Sequence, residues 1–150
     1  MKIVLALAFL WCFGSSTARA DDDTRISTLT IQTHDATVSF LTEIAISEDA
    51  KERGLMFRQI MPENQAMLFA FSPPQPVQFW MKNTLIALDL IFVRADGTIA
   101  DIKENAVPKS LAIIDEEEPV VAVIEVAGGV THKRGIHKGD HVGGAALQGN

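Results

Sequence analysis

Leu88-Asp89-Leu90-Ile91-Phe92-Val93-Arg94-Ala95-Asp96-Gly97-Thr98-Ile99-Ala100-Asp101-Ile102-Lys103 reads as a β-hairpin. Two runs rich in β-branched and apolar residues flank Asp96-Gly97, a dipeptide suited to a type I′ turn because both central residues there need positive φ. Strands are expected over 88–95 and 98–103. Downstream, Pro119 opens Val120-Val121-Ala122-Val123-Ile124-Glu125-Val126, apolar enough for a central strand. Gly128 to Arg134 reads as a short helix stopped by Gly135, and 141–147 as a strand that closes the sheet.

Upstream, Thr28-Leu29-Thr30-Ile31-Gln32 alternates polar and apolar residues with the period of a half-buried strand. His34-Asp35 makes a turn, and Ala36 to Ile46 is again strand-like. Ser47 suits a helix N-cap, Glu48 and Asp49 fall in the first turn where the helix dipole favours them, and Gly54 supplies the stop. A short helix is expected over 48–53. Ala66 to Phe71 and Val77 to Lys82 are strand-like runs separated by Ser72-Pro73-Pro74-Gln75-Pro76, where three prolines forbid a ladder and predict a stiff connection. The expected fold is mainly β (α+β): a small barrel-like or strongly curved, mostly antiparallel sheet with one or two short helices.

Length and composition set the frame. The chain has 150 residues, 47% of them hydrophobic and 21% charged, which suits one globular core and excludes a disordered or collagen-like polymer. Lys2, the apolar run Ile3 to Phe13 and Ala18-Arg19-Ala20 have the order of a secretory signal peptide over 1–20, too short an apolar stretch to span a bilayer. Export, to the periplasm, is the expected localisation, followed by a flexible segment at 21–27 and a single domain at 28–147. Cys12, the lone cysteine, would leave with the signal, so disulfide and thiolate chemistry are not expected of the remainder. Losing Lys2 and Arg19 leaves 11 basic residues against 19 acids, a net charge of −8. Charge of that sign repels phosphate backbones, so nucleic acid is not an expected partner.

Three stretches in this order carry a resemblance: Arg53-Gly54-Leu55-Met56-Phe57-Arg58, then Met67-Leu68-Phe69 running to Phe79-Trp80-Met81-Lys82-Asn83-Thr84, then Gly135-Ile136-His137-Lys138-Gly139-Asp140. With the Asp96-Gly97 hairpin they resemble the prokaryotic domain-of-unknown-function family number 192 over about 39–142. The resemblance implies a mainly-β, barrel-like fold, often exported, and supplies no activity to carry over. Where relatives commonly carry Pro before the Leu-Asp pair, this chain has Ala87.

Alternation places Gln78, Trp80 and Lys82 on one face of their strand and Val77, Phe79 and Met81 on the other. An indole and an ammonium would therefore lie about 7 Å apart. Arg53 and Arg58 bracket the Gly-Leu-Met-Phe segment and offer rigid forks for carboxylates. If Arg53, Arg58, Trp80, Lys82, Asn83, Asp89 and Glu125 converge, they make a polar pocket with an aromatic wall, suited to a small anionic or polyhydroxylated ligand. The competing reading is an ion-pair network, with Arg53 or Lys82 bound to Asp89 or Glu125 and Trp80 half-buried.

The leading function is thus a non-enzymatic small-ligand binding or accessory module with no cofactor and no metal. One alternative is a hydrolase acting on a small envelope-derived molecule, with Asp89 or Glu125 as base. Another is a copper carrier using the soft thioethers of Met56, Met61, Met67 and Met81, set against their ordinary use as core filler. His132, His137 and His141 are interrupted by glycines and read as solvated loop residues rather than zinc ligands. Asp115-Glu116-Glu117-Glu118 reads as a solvated loop.

Overall fold

The computed structural model describes residues 23–147; the signal sequence expected over 1–20 lies outside them. Its strands are β1 (Thr24–Gln32), β2 (Thr37–Ala45), β3 (Gln65–Phe79), β4 (Leu88–Val93), β5 (Ile99–Ala106), β6 (Ile114–Ala127) and β7 (His141–Gly143), with helices α1 (Glu48–Arg53) and α2 (Val130–Lys133). They form one sheet in the order β5-β4-β6-β3-β2-β1-β7, curled into a half-barrel. Every pairing is antiparallel except β2 with β3, which α1 separates in sequence and whose strands therefore run the same way. A bridge between Thr98 and His141 draws the two outer edges together.

The turn that begins this closure is not type I′. Of Asp96 and Gly97 only the glycine takes positive φ, at 86°. Gly97 N–H donates to the Arg94 carbonyl at 2.9 Å and Arg94 N–H to the Thr98 carbonyl at 2.9 Å, the pattern of a three-residue loop ending in a glycine bulge. Thr98 N–H and Oγ1 both donate to the Asp96 carboxylate, a local hold that keeps Asp96 out of the left-handed region. Glycine is needed here twice over, since a Cβ on it would also stand 2.9 Å from His141 Nε2 on the closing strand.

Alternation sorts the buried side chains into two clusters. Leu29, Ile31, Phe40, Leu68, Ile91, Ile124 and Val142 belong to the inner one, which draws on all seven strands and α2. Met67, Phe69, Leu90, Phe92 and Val123 face the other way and pack with Ala50 and Leu55 beneath α1. Strand β4 is consequently buried along its whole length, which is why the hairpin's first arm is apolar on both faces.

Several expected boundaries differ. Strand β1 begins at Thr24 rather than Thr28, because β2 is long enough to pair as far as Thr24 with Ala45. The closing strand is only His141–Gly143, since Gly144 at φ 101° turns the chain away. The acidic run 115–118 is strand rather than loop: its backbone lies within β6, with Asp115 and Glu116 paired to β3, while Glu118 bonds Arg94 at the surface. Strands expected at 66–71 and 77–82 are the two limbs of one element, β3, which ends at Phe79, so Trp80, Met81 and Lys82 lie beyond the strand. The prolines do suspend the ladder, as pairing jumps from Ala70–Ala122 to Gln75–Val120, but β6 follows the bulge and pairing resumes.

That bulge decides the shape of the outer face. Ten residues of straight strand would separate Phe69 from Phe79 by about 33 Å. Their rings instead meet edge-to-face with centroids 5.4 Å apart. The β3–β6 ribbon is therefore folded back on itself at Pro73, Pro74 and Pro76, and its far limb lies over the near one.

Candidate functional site

The folded ribbon and α1 enclose a cavity of about 360 Å³. One wall comes from Phe69 and Phe71 on the near limb of β3, and the other from Val77, Phe79 and Trp80 on and beyond the far limb. Helix α1 and the residues after it supply Glu48, Lys51, Glu52, Arg53, Leu55 and Met56. Ser47 caps α1 by accepting from Ala50 N–H at 3.0 Å, and Gly54, at φ 46°, turns the chain to bring Leu55 under the helix.

Glu125 also lines this cavity. It lies on β6 with the parity of Val123, on the outer face, and its cross-strand neighbours there are Met67 and Leu90, both buried and apolar. The residue is 6% exposed and makes no hydrogen bond or ion pair among the described residues, yet no polar atom of it is sealed from open space. Burial pushes its carboxyl up to about 8, and the field of the nearby Arg58 pulls it back only in part. At neutral pH Glu125 is thus mainly a protonated acid facing a hollow.

Arg58 is not free to neutralise it. Its two terminal nitrogens donate to the two oxygens of Glu43, each at 2.5 Å. Those hydrogen bonds hold the Glu43 carboxyl below its ordinary range and the guanidinium above its own.

The expected site residues divide as follows. Arg53, Trp80 and Glu125 converge on the cavity. Arg53 and Trp80 also border a shallower hollow with Asp49, Glu52, Met56, Lys82 and Asn83, so Trp80 forms the partition between the two. Lys82 Nζ stands 4.9 Å from the Trp80 ring centroid, and the indole remains 45% exposed. The anticipated facing of this segment holds, with Val77 and Met81 buried and Trp80 and Lys82 outward.

Asp89 is elsewhere. It points inward, wholly buried, and its carboxylate accepts from Asn105 N–H at 2.8 Å, Gly129 N–H at 2.9 Å, Thr131 N–H at 3.0 Å and Thr131 Oγ1 at 2.7 Å. It anchors the start of α2 and has no part in the cavity. The pairings envisaged for a structural network do not form either: Arg53 approaches Asp23 at 3.7 Å rather than Asp89 or Glu125.

Met67 and Met81 are core residues, Met61 packs against the same cluster, and Met56 lines the cavity. His132, His137 and His141 are all exposed. The aromatic walls at Phe69, Phe71 and Phe79 were not among the expected site residues. The available signal was their odd-numbered alternation with Met67 along one strand.

The fold and the hollow together define a class: a curled seven-stranded sheet whose longest ribbon doubles back over an unpartnered acid. The chain belongs to the DUF192 family, described as uncharacterized ACR, COG1430, whose profile matches residues 29–144. Among solved structures it is similar to a protein from Sinorhizobium meliloti 1021 described as a candidate transcription regulator, with 40% identity over 83% of this chain and 97% of that one and a TM-score of 0.80. It is also similar to a protein of unknown function from Novosphingobium aromaticivorans DSM 12444, with 36% identity over 79% of this chain and 84% of that one and a TM-score of 0.77. No curated protein matches the sequence.

Proposed function

We propose that this chain is an exported, non-enzymatic binding module that seats a small ligand in the cavity under the β3–β6 ribbon. The observation that supports this most is Glu125, a buried carboxyl left without a partner at the wall of a ligand-sized hollow. A buried polar group normally has a partner inside the protein, and one without points to a partner from outside. Aromatic and apolar walls with few polar groups are the usual make-up of such sites.

The test is NMR mapping of a fragment collection on the labelled protein. Binding here shifts Leu55, Phe69, Phe79 and Trp80 together, and Trp80→Ala, at a cost of about 1 kcal/mol in stability, removes the shifts from a chain that still folds. Shifts clustered on another face, or hits undiminished by Trp80→Ala, contradict the reading. Export draws on Lys2, Ile3 to Phe13 and Ala18-Arg19-Ala20. A periplasmic product beginning at Asp21 supports it, and a full-length cytoplasmic one refutes it.

One observation favours a second reading. A carboxyl raised to about 8 in a concavity is also what a general acid requires. Against it, among the described residues the cavity's lining offers no serine, cysteine or histidine, and Thr84 is its one hydroxyl. Hydrolysis of a chromogenic ester or glycoside that Glu125→Gln abolishes would establish this alternative. The transcriptional description of the S. meliloti protein is not carried over, since 19 acidic against 13 basic residues make a poor phosphate-binding surface.

A further inference from the structure

We infer that the cavity selects a small organic cation, an amine carrying an aromatic or aliphatic body, with Glu125 as its buried counter-ion. The inference rests on the cavity being a ligand site, and it names which chemistry that site takes.

Each cation near the cavity is already engaged. Arg58 is bound through both nitrogens by Glu43, Lys51 Nζ donates to Glu48 at 2.8 Å, and Arg53 leans toward Asp23 at 3.7 Å. Lys82 rests on the Trp80 ring outside the cavity. An anion entering the hollow would therefore have to compete for each cation with a carboxylate or a ring already holding it. A cation meets the reverse situation, because the carboxyl facing the hollow has no hydrogen bond or ion pair among the described residues and feels only the field of an Arg58 already bound by Glu43.

The walls point the same way. Phe69, Phe71, Phe79 and Trp80 offer four aromatic rings around a space of about 360 Å³. Ring faces attract cations, more strongly where water is excluded, and their apolar edges suit a hydrocarbon body. The residues flanking Glu125 on the neighbouring strands, Met67 and Leu90, carry no charge. The charged groups facing it are Arg58, with Glu43 behind, and Glu48, Lys51, Glu52 and Arg53 on the α1 side; no histidine lines the cavity.

The proton balance gives the inference a sign. The empty site holds Glu125 protonated at neutral pH, because no cation compensates its burial. An alkylammonium ion can pair with it only once that proton has gone to solvent. One proton is released for each cation bound, no covalent bond changes, and affinity rises with pH until Glu125 is ionised in the empty site. A hydrogen-bond acceptor, by contrast, needs the protonated acid, so its affinity falls over the same range. The anionic or polyhydroxylated ligand expected from the sequence belongs to that second case.

Isothermal titration with three probes of similar shape separates these outcomes: 2-phenylethylamine, 2-phenylethanol and 3-phenylpropionate, each at pH 6, 7, 8 and 9. The amine is expected to bind most tightly, gaining about ninefold from pH 6 to 7 and about fivefold from pH 7 to 8, and levelling above that. Glu125→Gln, which keeps shape and hydrogen bonding but cannot ionise, is expected to weaken the amine at pH 8 by tenfold or more while circular dichroism shows a folded chain. Tighter binding of the alcohol or the carboxylate, or an amine affinity that is flat or falls with pH, overturns the cation and leaves the cavity as a site. Failure of all three probes to bind overturns both.

Discussion

Glu125→Gln replaces the acid in the cavity wall by a neutral group of nearly the same outline, and it makes the protein's stability less sensitive to pH. The folded chain holds this carboxyl at about 8 against an ordinary value of 4.5. Between those limits the folded state keeps a proton that the unfolded state has released, so the contribution is fully present below pH 4.5 and is lost as pH rises toward 8. Each pH unit inside the window costs about 1.4 kcal/mol of wild-type stability. Moving from pH 5 to 7.5 should therefore cost the wild type roughly 3 kcal/mol relative to the variant, a fifth or more of the stability of an ordinary domain of roughly 5–15 kcal/mol. Urea unfolding of both proteins at pH 5, 6, 7 and 7.5 measures it, because all other titrating groups cancel in the difference. A difference that stays constant to within about 0.5 kcal/mol over that range would refute the claim that Glu125 is buried without a partner.

Asp89→Ala should be among the most damaging single changes, roughly 3–4 kcal/mol, since it strips the Asn105, Gly129 and Thr131 donors of their shared acceptor; thermal unfolding within a degree or two of wild type would contradict the anchoring role. Arg58→Ala should cost only about 1 kcal/mol near neutral pH, because the pair with Glu43 is partly open to solvent. Glu43 titrates low, so its share of stability exists above pH 4.5 and is lost as pH falls; the Arg58 variant should show a flatter acid limb in stability against pH. It should also drive Glu125 still higher by removing the one charge that favours its ionised form.

The sheet was readable where local chemistry agrees with the global pairing. Leu88 to Val93 and Ile99 to Lys103 are apolar and β-branched around a turn that demands glycine, and the hairpin formed as expected even though its turn took another type. Ser47 and Gly54 bounded α1 to the residue. The prolines at 73, 74 and 76 misled, because a break in the ladder and a bend in a continuing strand look alike in sequence. Only β6, bending in step, distinguishes them. The cavity depends on that bend, so alternation could place Phe69 and Phe71 on one face but not bring Phe79 over them.

Glu125 was visible as an acid in an apolar run, and Trp80 as an aromatic on a polar face. Asp89 looked equally suitable. Its neighbour Leu90 pairs with Glu125, so Asp89 must face the opposite way, but that follows only once the β4–β6 register is known.

The most direct measurement is a carbon-13 titration of the side-chain carboxyls, with Glu125 assigned by its loss in Glu125→Gln. The account predicts a midpoint near pH 8 for Glu125 in the free protein, moving to lower pH when 2-phenylethylamine is added. A midpoint near 4.5, unmoved by the amine, would show a solvated carboxyl with no place for a ligand beside it.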